Sequence, residues 1–283
     1  MSPILSRING GFARRRNITN NPPLAIEVLM MAGGGGTNPE DLYGTAVDDN
    51  TIPTFGGGGG GAGGLYIYSV TLDSGTSRTV TIGAGGIGAS NGSDTTFTGA
   101  SNAVGGGRGS SGFRTGGSGG SGGGSTFGQA AGTATSGQGN SGGTGGARSG
   151  RGNMAGAGGG GGKGSVGASA AQNLGGAGGS GYNLSTFRGG SSLTVAFGGG
   201  GRSRDSTGNN GDGTTTTSPA ANTGGGSRGV NFGNTGNGGS GRVIVRYPGN
   251  TQKATGGTVT TETVSGTTYT IHDFTSGGTF TVS

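Results

Sequence analysis

The chain has 283 residues, 81 of them glycine, with 27% hydrophobic and 10% charged residues and a net charge of +6. Glycine at several times its ordinary usage excludes a conventional side-chain core over most of the length, and 7 prolines without a sustained Gly-X-Y phase exclude a collagen triple helix. With no cysteine there is neither a disulfide framework nor a thiolate metal site, and no apolar run reaches the roughly 18 residues a membrane helix needs.

Residues 1–23, "MSPILSRINGGFARRRNITNNPP", carry Arg7, Arg14, Arg15 and Arg16 without an acidic residue and end in Pro22 and Pro23. This reads as an extended basic anchoring arm, terminated by prolines that exclude helix. The segment after Arg16 is polar where a signal peptide would be apolar, so secretion by that route is not expected. A short basic arm of this kind fits docking on an acidic protein surface, and nucleic acid is not expected as a partner.

Residues 24–98 hold three strand candidates, "AIEVLMMA", "GLYIYSVTL" and "SRTVTIGA", in which apolar and polar side chains alternate and β-branched and aromatic types dominate. Between the first two lies an acidic stretch, residues 37–55, with Glu40, Asp41, Asp48 and Asp49 among Pro and Asn turn signals. It reads as a solvated surface loop, with no metal assigned.

Residues 99–241 are the glycine expanse, and spacing matters here more than amount. Gln138, Ser141, Thr144 and Ala147 recur every third residue with glycine pairs between them, as do Leu174, Ala177 and Ser180, and Thr115, Ser118 and Ser121. Three residues per turn is the period of the polyproline II helix, which polyglycine shares. Glycine at two positions in three leaves two bare backbone faces, so such helices can pack closely enough to exchange backbone hydrogen bonds. One alone would not repay its ordering entropy. The expectation is a bundle of polyglycine II helices with almost no α-helix. "STFG", "YNLSTF" and "SLTVAFG" are read as turns and plugs at helix ends.

Residues 242–283 return to strands in "RVIVRYP", "GGTVTTETVSGTTYTIHDF" and "GTFTVS", with hairpin turns at "VSG" and "SGG". They are expected to pack with residues 24–98. The fold class is therefore mainly β, with strand layers from both chain ends around a glycine-rich core.

Taken together, "IEVLMMAGGGG" (26–36), "VTIGAGGIGASNGSDTTF" (80–97), "GSGRVIVRYP" (239–248) and "YTIHDFTSGGTFTVS" (269–283) resemble the glycine-rich tail fibre and tail-tip adhesin proteins of tailed bacteriophages. The resemblance covers about residues 24–283 and omits the arm. It implies a polyglycine II sandwich whose far-end loops bind the host surface. In such proteins the "TIHDFTSGGTFTV" element often precedes a further strand, whereas here it ends the chain at Ser283; pairing on the Ile26 strand or on a neighbouring subunit are the alternatives.

Nothing in the sequence assembles a catalytic cluster. His272, the single histidine, lies on a strand with Asp273 on the opposite face, and "GAGGIG" (83–88) follows a strand but precedes no helix-forming stretch that would hold a pyrophosphate. No enzyme activity or cofactor is expected. The leading reading is a virion protein of fibre or adhesin type, present in multiple copies, joined to other virion proteins through its arm and facing a host receptor, either a glycan or an outer-membrane protein. A decoration or spacer protein of head or tail is the alternative, and an ice-binding protein a more remote one. Receptor contacts are expected where larger side chains interrupt the glycine register, at Phe113, Arg114, Tyr182, Phe187, Arg188, Arg202 and Arg204.

Overall fold

The computed structural model describes residues 22–37, 56–147, 156–171, 174–203, 208–212, 214–230 and 234–283. In chain order the strands are β1 (Leu24–Met31), β2 (Leu65–Leu72), β3 (Ser77–Thr81), β4 (Thr96–Phe97), β5 (Tyr182–Asn183), β6 (Thr194–Val195), β7 (Arg242–Pro248), β8 (Ala254–Thr255), β9 (Thr258–Val264), β10 (Thr267–Phe274) and β11 (Gly278–Val282). A four-residue helix, α1 (Ser185–Arg188), lies between β5 and β6.

Two antiparallel sheets form a sandwich. One runs β2-β1-β7-β10-β9 and the other β4-β3-β11-β8. Alternation decides what lies between them. Ile26, Val28 and Met30 of β1 and Val243, Val245 and Tyr247 of β7 meet Val80, Phe97, Phe280 and Val282 of the second sheet. The odd-numbered partners Leu29 and Met31, with Ile244 and Ile271, face the other way, where Leu184, Phe187 and Val195 cover them. The turn at Ser265 and Gly266, with φ of 49° and 83°, is the two-residue type that matches strand twist. The C-terminal strands pair within the chain: β10 lies on β7 rather than on the Ile26 strand, and β11 lies on β3.

Strands β1, β2 and β7 run directly into or out of glycine rods, and these make the second body. The rod of residues 57–64 shows the rule. Gly57, Gly60 and Gly63 donate N–H to Val230, Ser227 and Gly224; Gly58, Gly61 and Gly64 donate to Ser110, Gly107 and Val104; Gly59 and Ala62 donate to Gly158 and Gly161. Residues three apart address the same neighbour. The same rod accepts bonds from Ala32 and Gly35, from Ser121 and Gly124, and from Gly199 and Arg202. Rods 32–37, 104–110, 121–125, 157–162, 198–202 and 224–230 thus surround it, and each bonds to the next: Gly106 to Gly33, Gly107 to Ser121, Gly161 to Gly122, Gly160 to Gly199, Gly229 to Gly200 and Ser227 to Gly35. The ring of six closes in chain order around a rod that is second in the sequence.

Glycine is required because the neighbours are backbone. A Cβ on Gly59 would lie 1.9 Å from the Gly199 carbonyl oxygen, and one on Gly34 would lie 2.0 Å from that of Gly225. The third-position residues point outward instead: Thr115, Ser118, Thr144, Ala147, Leu174, Ala177 and Ser180 are exposed, while Ser121, facing the interior, is buried. Outermost rods lack neighbours on one side, and polar side chains replace them. Ser118 Oγ accepts from Thr133 N–H (3.1 Å), Ser165 Oγ from Ser180 N–H (2.9 Å), Asn91 Oδ1 from Arg108 N–H (2.9 Å) and Gln138 Oε1 from Val104 N–H (2.8 Å). Backbone groups that would otherwise be unpaired at the edge are thereby satisfied.

The structure divides the chain differently from composition. Residues 32–37 and 57–64, within the stretch read as a strand region, form the middle of the glycine body, which therefore does not begin at residue 99.

Candidate functional site

The bundle has two distinct ends. Its near end is the sandwich, reached at residues 32, 64 and 241. Its far end is marked by Thr37, Gly57, Ser110, Ser125, Arg202 and Val230, which terminate the central rod and five members of its ring. At this far end the residues linking rods carry larger side chains.

Phe113 and Phe127 stack there, with ring centroids 4.6 Å apart and planes 27° from parallel. Phe113 remains 55% exposed. The pair is held by unusual backbone: Phe127 has φ 50°, flanked by Gly112 at 56° and Gly128 at 67° on the two turns. Left-handed backbone costs a non-glycine residue about 1 kcal/mol or more and persists only where the surroundings impose it. Here the surroundings are polar and buried. Thr126 Oγ1 bonds to the Gly112 carbonyl and lies 3.3 Å from Ser110 Oγ, and Ser125 Oγ donates to the Gln129 carbonyl. Arg114 is exposed next to Phe113, and Arg202 is half-buried on the ring rod that ends beside Gly57.

The other expected contacts lie elsewhere. Residues 182–189 are at the sandwich end, where β5, α1 and β6 close over the outer face of the larger sheet. Phe187 is 2% exposed and belongs to the core with Leu29, Met31 and Ile244. Arg188 pairs with Asp273 at 3.1 Å, and Tyr182 is half-buried, its hydroxyl 2.8 Å from Thr186 Oγ1. Phe187 is thus a core residue, while Tyr182 and Arg188 are tied into the sandwich end by a hydrogen bond and an ion pair, away from the far end. Their apolar neighbours on the sheet need a cover, and burying a phenylalanine stabilises by about 1.5–3 kcal/mol. Arg204, and the arm residues Arg7, Arg14, Arg15 and Arg16, lie outside the described residues, as does most of the acidic stretch 37–55.

With its geometry in view, the chain can be compared with known families. A family model described as a glycine-rich domain matches residues 16–248. The chain belongs to that family. Neither the curated proteins nor the solved structures gave a match. In this glycine-rich domain the match ends at the last residue of β7, so β8 to β11, which complete both sheets, lie beyond it.

The sandwich of the glycine-rich domain buries the single histidine. His272 is fully buried between the sheets, with Nδ1 2.7 Å from the Gly256 carbonyl and Nε2 3.0 Å from the Tyr247 hydroxyl. The carbonyl can only accept, so Nδ1 carries the proton and Nε2 accepts from Tyr247, whose oxygen in turn accepts from Lys253 N–H at 2.9 Å. Burial lowers the His272 pKa, opposed in part by the Gly256 bond, and raises that of Tyr247. Asp273, on the opposite face, bonds both Arg242 and Arg188. His272 is thus a fully bonded neutral core histidine. No group of three or more metal-ligating side chains occurs among the described residues.

Sequence reasoning missed Arg228. It stands within the rod 224–230, bracketed by Ser227 and Gly229, and nothing in "GGGSRGVN" marks it as different from any solvated arginine.

Proposed function

We propose that the chain is a non-enzymatic structural protein of a tailed-bacteriophage virion, of the tail fibre or adhesin type. Its glycine rods are polyglycine II helices, a reading supported by the way residues three apart bond the same neighbour in every ring rod. The arm of residues 1–23 attaches it to other virion proteins, and the far end meets a host-surface receptor, a glycan or an outer-membrane protein.

The observation that carries this reading is the polarity of the molecule. The chain enters the described structure at β1, on the sandwich, while the exposed Phe113, stacked on the half-buried Phe127, stands at the opposite end of a body held by backbone bonds. A bundle of that construction is a stiff spacer, and a pre-ordered aromatic pair at its end presents apolar area at little further entropic cost.

The test is competition for adsorption. Purified protein should reduce phage adsorption to intact host cells, and Phe113→Ala, which removes an exposed ring, should weaken that competition without lowering the melting temperature. A folded protein that neither binds cells nor competes would refute the adhesin role and leave a spacer or decoration role.

A further inference from the structure

Arg202 and Arg228 occupy adjacent rods of the central ring, tied together by the Gly229 to Gly200 bond. Both flank the end of the central rod: Arg202 N–H donates to Gly57, and the Arg228 carbonyl accepts from Thr37 Oγ1 at 3.0 Å. The Nε of each arginine is buried and has no hydrogen-bond partner. That is an expensive arrangement, since a buried donor on a charged group costs more than any neutral one when left unpaired. The described carboxylates do not relieve it. Glu27 and Asp273 serve Arg246, Arg242 and Arg188; Asp94 and Asp212 hold local backbone N–H groups; Asp73 and Glu262 lie on the sandwich.

Burial and the nearby Arg202 charge both disfavour the Arg228 cation. Two like charges held together with unsatisfied donors are what an anion site looks like without its anion, because an oxyanion would bond both Nε–H groups and cancel the repulsion. The backbone between the two rods is close-packed, a Cβ on Gly56 striking the Arg202 carbonyl at 2.3 Å, so it is the side-chain donors, not the backbone, that are left to a ligand.

We infer that Arg202 and Arg228 form a binding site for an oxyanion, a phosphate or carboxylate group, at the far end of the bundle. The site stands on the arginine geometry and does not depend on the adhesin reading.

The experiment uses the full chain with nitrogen-15 arginine and follows the Nε–Hε resonances. Titration with sodium phosphate and, separately, sodium acetate is compared with sodium chloride at equal ionic strength. The resonances missing from R202K and R228K spectra should shift and saturate together with one or both oxyanions, and the stronger arm identifies the group. Each lysine variant keeps the charge but loses Nε, and should bind roughly tenfold more weakly, as the loss of one charge-assisted bond implies. Neither should melt lower than the parent in chloride, because each removes an unpaired buried donor. Linear, unsaturated shifts in both oxyanion arms would overturn the site. So would lysine variants that respond as the parent does, which would mark general screening.

Discussion

Replacing Gly59 by alanine tests the central claim about how this protein is held together. The added Cβ would sit 1.9 Å from the Gly199 oxygen, 2.6 Å from its carbon and 2.8 Å from the Gly160 nitrogen. Ordinary contact begins near 3.4 Å, so the neighbouring rods must retreat by about 1.5 Å. No side chain can rotate away, because every atom named is backbone. That displacement breaks the Gly160 N–H to Gly199 bond and strains the Gly199 N–H to Gly60 bond. One broken and one strained bond, together up to about 2 kcal/mol, with buried groups left unpaired at about 1–3 kcal/mol, give a cost of roughly 2–5 kcal/mol. Against a typical domain stability of about 5–15 kcal/mol, this is a large fraction. Gly57→Ala is the control. It lies in the same rod, its φ is not left-handed, and its nearest neighbour to the new Cβ is 3.5 Å away. It should be neutral, or stabilising by up to about 1 kcal/mol through the unfolded state. Denaturant midpoints of the two variants, compared at constant slope, measure the difference. Equal effects at Gly57 and Gly59 would refute the argument that backbone contact requires glycine.

Two further predictions concern the sandwich. Because burial depresses the folded pKa of His272 below its unfolded value near 6.5, its contribution is fully present above about pH 6.5 and is lost as pH falls through the folded value. Denaturant midpoints should therefore drop between neutral and mildly acid pH, and His272→Gln should flatten that part of the profile even if it lowers stability throughout. Asp273→Asn leaves Arg242, whose side chain is only 12% exposed, without its charge partner. It should cost about 3 kcal/mol, read by thermal melting, and a loss under about 0.5 kcal/mol would show the pair to be no more than a surface bridge.

How much of this was legible beforehand differs by element. The alternation in "LYIYSVTL" marked a strand because one sheet face is largely buried and the other is not, while the apolar run in "RVIVRYP" marked a strand buried on both faces. The register of Ser141, Thr144 and Ala147 marked close-packed rods, since side chains are tolerated only where they point away from neighbours. That Phe187 belongs to the core was not legible. A four-residue helix shows no periodicity, and the apolar surface it covers comes from strands far away in sequence. Arg228 was invisible because its significance lies in being next to Arg202 on another rod.

What the sequence alone determined is the kind of packing: where glycine is obligatory, where a side chain faces out, and where strands replace rods. Which rod lies at the centre was decided only in three dimensions. The residues 57–64, "GGGGGAGG", carry no side chain larger than alanine, so nothing in them distinguishes one neighbour from another. Partners as distant as Gly60 and Ser227 are selected by the sandwich, because β1, β2 and β7 are paired there and fix where their attached rods begin. Side-chain complementarity sets the strands, the strands set the origin of each rod, and backbone hydrogen bonding, blind to sequence, completes the lattice.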